Sequence, residues 1–156
     1  MSKVKIKAIC KPDCKIPRYE TDGAVGMDLR GYVNENIKFM YNCERAGDKL
    51  IINPFGRALI GTGLFIQLPD GYEAQIRPRS GLTIKHGIIC QLGSIDSDYR
   101  GEIGLIIINF SDEPYYIENG ERLAQMVINK VEQAEIEIVD SLDDTDRGEG
   151  GFGHTG

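Results

Sequence analysis

The feature that most constrains this chain is its pattern of short apolar runs. Val4, Ile6 and Ala8 alternate with Lys5 and Lys7, and Tyr72, Ala74 and Ile76 alternate with Glu73, Gln75 and Arg77. Ile136 and Ile138 alternate with Glu135 and Glu137. A period of two is that of a half-buried strand. The stretches Leu64–Leu68 and Ile103–Phe110 are almost continuously apolar and β-branched, which predicts strands covered on both faces. Turn-forming residues punctuate the chain at Asp22-Gly23, Asn53-Pro54, Pro69-Asp70-Gly71, Asp112-Glu113-Pro114 and Asn119-Gly120. Many short strands at close spacing predict an all-β sandwich, jelly roll or barrel. Only the segment from Ser80 to Gly87 reads as helical, with Ser80 as N-cap and Gly87 as the stop.

With 156 residues, the chain is the size of one domain and can bury a core without staples. Lys and Arg total 18 against 24 Asp and Glu, a net charge of −6, which argues against a general nucleic-acid or anionic-membrane binder. The longest apolar run, Leu105–Ile108, is far too short to span a bilayer. The N-terminal residues, Met-Ser-Lys-Val-Lys-Ile-Lys, lack the apolar region of an export signal, so a cytoplasmic location, or a host-cell compartment for a viral protein, is expected. Cys10, Cys14, Cys43 and Cys90 are then expected to be free thiols. Cys10 and Cys14 have a spacing that could open a zinc site, but no second pair completes it.

Two regions carry chemistry. The segment from Ser141 to Gly156 is rich in Gly and Asp and has little to bury, so it reads as a tail, either frayed or ordered over a ligand. Its run Gly148-Glu149-Gly150-Gly151-Phe152-Gly153 matches a dinucleotide fingerprint literally, yet no helix or βαβ unit follows. What survives is a flexible backbone whose N–H groups can face an anion, and a Phe152 ring that can stack on a base. Arg77, Arg79, Arg100, Arg122 and Arg147 all lie in Gly- or Pro-punctuated polar stretches, where an acidic protein would gather cations for a polyphosphate. The polar segment from Gly93 to Glu102 reads as a hairpin arm leading into a strand. Within it Asp96 is a candidate general base for a water, and Tyr99 is a rigid wall with a polar tip.

Five segments in order give these residues a context: Ala24–Leu29, Arg77–Leu82, Gly93–Glu102, Gly120–Gln125 and Arg147–Gly156. In identity, order and spacing they resemble the five motifs of the trimeric, all-β dUTPase family, across nearly the whole chain. The resemblance implies a distorted jelly roll over residues 1–140 and a flexible, glycine-rich arm over 141–156. It implies a homotrimer with shared active sites, in which one subunit's arm closes over a site formed by its neighbours. The implied reaction converts dUTP and water to dUMP and pyrophosphate with Mg2+ as cofactor, supporting dTTP synthesis and keeping uracil out of DNA.

By motif position, Asp96 resembles the residue that polarises the attacking water, and Gln125 the amide that helps hold it. Arg79, Ser80 and Gly81 resemble the triphosphate grip. Arg147 and the tail glycines, Gly153 among them, resemble the γ-phosphate clamp, and Phe152 the aromatic lid over uracil. Ser94 and Ile95 fall among the substrate-binding positions beside the uracil slot. Tyr99 resembles the ring beneath the deoxyribose, and Gly104 a position where a ligand nears the backbone. Asp28 resembles a partner of the Mg2+ waters, with no direct protein ligand to the ion. Arg77 and Arg122 are expected to pair across the trimer. His154 stands where the family usually has Ser, and the slot sequence Ile89–Gly93 is shorter than the Asn-Ser-Pro-Gly version common in bacterial members. The insert Tyr41–Asp48 is expected to be a surface loop. A dCTP deaminase shares the implied fold but would need a catalytic Glu and lacks the tyrosine. A dUTP-binding regulatory protein is the other alternative.

Overall fold

A computed structural model describes residues 3–34 and 36–153. In chain order its elements are β1 (Lys7–Cys10), β2 (Gly26–Gly31), β3 (Ile37–Ala46), β4 (Lys49–Gly61), β5 (Leu64–Gln67), β6 (Tyr72–Pro78), α1 (Ser80–His86), β7 (Ile88–Cys90), β8 (Gly93–Ile95), β9 (Gly104–Asn109), β10 (Tyr115–Glu118) and β11 (Glu121–Lys130). One sheet has the order β2-β11-β6-β8. A second runs β10-β4-β9-β7 with β3 added on β4, and β1 pairs with β5 in a small third. Every described strand pairing is antiparallel. The all-β expectation holds, and among the described residues no helix is long and apolar enough to cross a membrane.

The two larger sheets share one core. Leu29, Ala74, Ile76, Ala124 and Met126 come from the four-stranded sheet, and Leu50, Ile52, Ile60, Leu105, Ile107 and Ile117 from the five-stranded one. Burying each large aliphatic side chain stabilises the fold by about 1.5–3 kcal/mol. Strand β6 follows its alternation: Ala74 and Ile76 are buried, while Glu73, Gln75 and Arg77 are only partly so.

Several local expectations are corrected. The run Ile103–Phe110 is covered on one face only, since Ile106 and Phe110 remain 44% and 56% exposed while Leu105 and Ile107 are buried. In Leu64–Leu68, likewise, Gln67 is exposed. Asn53-Pro54 does not end a strand, because β4 continues through it. The register against β3 jumps between Tyr41 and Cys43, so the proline sits in a bulge where the ladder needs no N–H. The insert Tyr41–Asp48 is no irregular loop. It is the tip of the β3–β4 hairpin, closed by Gly47-Asp48 between the paired Ala46 and Lys49. The segment around Ile136 and Ile138 forms no strand, and these side chains are 87% and 94% exposed. Among the described residues its alternation has no partner strand.

The arm before Asp96 is not a ladder hairpin. Strand β7 pairs with β9, whereas β8 pairs with β6, so the chain crosses from one sheet to the other at Gln91-Leu92. The helix begins one residue earlier than expected. Arg79 is the N-cap, without a side-chain cap, and its carbonyl accepts from Leu82 N–H at 3.1 Å and Thr83 N–H at 3.2 Å. Ser80 therefore occupies the first helical position with its side chain exposed. Gly87 ends the helix as expected, in the left-handed region at φ 65°, which a residue with a Cβ adopts only at a cost.

Candidate active site

The site residues are best followed along the four-stranded sheet. In β11, Gln125 stands directly opposite Asp28 of β2 and Arg77 of β6. Opposed residues share a face, so these three form one polar row. Asp28 is largely buried and holds two guanidiniums: Arg79 Nε lies 3.3 Å from Oδ1, and Arg122 Nη1 donates to Oδ2 at 3.0 Å. Arg79 Nη1 also donates to the Arg122 carbonyl at 3.0 Å. The second and fourth motifs are thus tied together by the aspartate of the first. Arg122, expected to pair across a trimer, has its partner within its own chain. Arg77 Nε donates to Gln75 Oε1 at 2.6 Å. A Cβ on Gly26 would lie 2.8 Å from Gln125 Oε1, so this glycine leaves room for the amide.

Both Asp28 oxygens are engaged by arginines, and among the described residues no three His, Cys, Asp or Glu side chains gather to hold a metal ion. With both its oxygens on guanidiniums, Asp28 would meet an Mg2+ carried on phosphate oxygens only through water. Cys10 Sγ donates to the Cys14 carbonyl at 3.2 Å.

Asp96 lies directly after β8, exposed, at the other end of the sheet. Its carbonyl accepts from Tyr99 N–H at 3.2 Å, forming a turn. Arg100 Nη1 closes the turn by donating to the Ser97 and Tyr99 carbonyls at 2.7 and 2.9 Å. The Tyr99 ring lies against Gly101, where a Cβ would collide with it, and its hydroxyl donates to the Glu102 carbonyl at 3.1 Å. Ser94 is opposite Gln75 and exposed, and Ile95 is opposite Ala74 and packs on the core. At Gly104 a Cβ would lie 2.7 Å from Leu59 Cδ1, so the glycine lets this part of β9 pack close to β4.

One chain does not bring all of these residues together. Ile95 is level with Ala74, so Asp96 continues to the level of Glu73, whereas Gln125 is level with Arg77. At ~3.3 Å per residue, Arg79 lies roughly 20 Å along the sheet from that level. The tail is separate again. Gly148 N–H donates to the Thr145 carbonyl at 3.0 Å, and Arg147 Nε donates to the Gly150 carbonyl at 2.8 Å. Phe152 is fully exposed, with φ 51°, and Gly153 has φ 83°. His154 lies outside the described residues.

A residue that motif reading left without a role is Glu102, whose side chain is only 7% exposed. Its carboxylate accepts from Lys38 Nζ at 3.0 Å, Lys11 Nζ at 3.2 Å, Gly63 N–H at 2.7 Å and Asn36 Nδ2. Burial alone would raise its pKa, but these donors outweigh burial and hold it down to about 2. A carboxylate so committed is not free to act as a catalytic acid or base. A mainly apolar groove of about 660 Å³ is lined by Val4, Ile6, Ile16, Met27, Met126 and Ile128 among others.

Comparison with known proteins identifies the family. The dUTPase family model matches residues 13–156, and the chain belongs to this family. It is 47% identical over 158 residues to a deoxyuridine 5'-triphosphate nucleotidohydrolase of Fusobacterium nucleatum, covering 100% of this chain and 99% of the relative. It is 48% identical over 155 residues to one of Finegoldia magna, covering 98% and 99%. In fold it is similar to the dUTPase of Staphylococcus bacteriophage 80alpha solved with dUPNHPP, with TM-score 0.81, 23% identity and coverage of 97% and 98%. A phage phi11 dUTPase mutant, described with a structural Mg(II) ion, gives TM-score 0.74, 19% identity and coverage of 90% and 99%.

Proposed function

We propose that the chain hydrolyses dUTP to dUMP and pyrophosphate, in a homotrimer whose sites are each shared between subunits. The reaction rests on membership of the family and on relatives at 47–48% identity named for it. Sharing rests chiefly on one observation. By register Asp96 stands near the Glu73 end of β6, whereas Gln125 is four residues along and the Arg79–Gly81 group lies past the far end of that strand, too far for all of them to touch one α-phosphate within one chain. A neighbour's Asp96 turn facing this chain's Arg79 resolves the distance. Exposed apolar side chains support association too: Ile136, Ile138 and Leu142 of the C-terminal segment, and Ile106 and Phe110 on β9 and its end, all await cover.

In this reading Asp96 takes a proton from water as the oxygen attacks the α-phosphorus, and the bond to the bridging oxygen breaks to release pyrophosphate. Gln125 holds the water. Asp28 fixes Arg79 in place before substrate arrives, so little ordering is left for the moment of binding. The Ser80 hydroxyl, free of capping duty, faces the bridging oxygen, and the Gly81 backbone lies beside the phosphates. Mg2+, bound on the triphosphate, supplies neutralisation of charge on the phosphate oxygens. The crossing from β7 to β8 presents backbone N–H and C=O groups around Ser94 and Ile95 to the uracil edge. Cytosine reverses that donor and acceptor pattern, at ~1–3 kcal/mol for each group left unpaired. Tyr99 lies under the deoxyribose. The arm over 141–156, through Arg147, Phe152 and Gly153, closes the site.

Hydrolysis in oxygen-18 water tests the point of attack. The label is expected in dUMP, because water bonds to the α-phosphorus. Label in pyrophosphate would mean attack at the β-phosphorus and would overturn this reading.

A further inference from the structure

We propose that Glu102 is a positioning residue: its buried carboxylate anchors the Tyr99 turn to the body of the fold, and so sets discrimination between deoxyribo- and ribonucleotide. The inference rests on the reading that Tyr99 faces the sugar.

The turn from Asp96 to Gly101 is held mainly by itself, through Tyr99 N–H on the Asp96 carbonyl and Arg100 on the Ser97 and Tyr99 carbonyls. These bonds tie the turn only to itself. The Tyr99 hydroxyl, however, donates to the carbonyl of Glu102, just beyond the turn. Glu102 is fixed from four separate places. Lys11 lies in the N-terminal segment, Asn36 before β3, Lys38 in β3, and Gly63 in the β4–β5 connection. The next residue is pinned as well: Ile103 N–H donates to the Leu64 carbonyl at 2.8 Å, and its own carbonyl accepts from Thr62 N–H at 3.1 Å and Thr62 Oγ1 at 2.8 Å. Tyr99 is therefore referenced to the core through Glu102. Excluding a 2′-hydroxyl demands a ring placed to a fraction of an ångström, which a turn tied only to itself cannot supply. Lys11 and Lys38 are substantially exposed, so removing the carboxylate returns them to water and leaves the core packed.

The test measures kcat and KM for dUTP and for UTP, with melting temperature, on the full chain. The variants are Glu102→Gln, Tyr99→Ala and the double variant. Glu102→Gln is expected to lower the dUTP-to-UTP ratio of kcat/KM by about tenfold, mostly through a gain in kcat/KM for UTP. In the Tyr99→Ala background the same change is expected to add nothing to the loss of selectivity. If Glu102→Gln fails to fold, Lys38→Met and Asn36→Ala each remove one anchor and are expected to lower the ratio by about threefold. A lowered melting temperature with selectivity intact in the anchor variants, while Tyr99→Ala loses it, overturns the positioning role alone. Unchanged selectivity in Tyr99→Ala overturns the sugar-facing reading, and this inference with it.

Discussion

Replacing Asp96 by Asn is expected to slow dUTP turnover by about 10²–10⁴-fold, the usual scale for losing a positioned general base. Nucleotide affinity should change far less. Asp96 sits directly after a three-residue strand paired to β6, in an exposed turn, and Asn fills the same space with the same backbone. What the amide cannot do is take a proton from water. Arg79, proposed to grip the phosphates, is held by Asp28 away from this turn, so the change leaves it untouched. Calorimetric binding of a non-hydrolysable dUTP analogue, set beside turnover, separates the two effects. Wild-type turnover would remove Asp96 from the role of base, and lost binding with lost turnover would make it a binding residue.

Deleting residues 147–156 is expected to remove most activity, of the order of 10²-fold or more, since a lid excludes water and completes the charge clamp. Assembly should survive, because the tail's described hydrogen bonds run within the tail and Phe152 packs against nothing. Sedimentation gives the assembly state and pyrophosphate release gives the activity. Mixing this truncation with Asp96→Asn, after mild dissociation and reassociation, should regain activity. Sites that draw Asp96 from one subunit and the tail from another are then intact in some trimers. A fully active truncation would dismiss the lid, and the absence of any regain on mixing would dismiss sharing.

What the sequence made legible was local. The alternation of Tyr72 to Arg77 became the two faces of β6, and Gly87 ended the helix because only a residue without a Cβ takes that conformation cheaply. Motif spacing named Asp28, Arg79 and Gln125, and the structure ties Asp28 to Arg79 and sets Gln125 opposite Asp28. What was hidden depends on partners distant in sequence. The crossing at Gln91-Leu92 looks like a hairpin until β9 and β6 are known to claim β7 and β8 separately. Asn53-Pro54 reads as a stop until β3 carries the ladder past it. Glu102 draws its donors from Lys11, Asn36, Lys38 and Gly63, a set no spacing rule links. The alternation at Ile136 and Ile138 predicts a strand correctly only if another chain supplies the sheet.

The most direct test of the central claim is pyrophosphate release from dUTP, dCTP, dTTP and UTP in parallel, with Mg2+ and again with excess EDTA. Release from dUTP alone, abolished or strongly reduced by EDTA, is the expected result. Equal release from dCTP or UTP would contradict the selectivity assigned to the Ser94–Ile95 backbone and Tyr99, and release from none of the four would contradict the hydrolase itself.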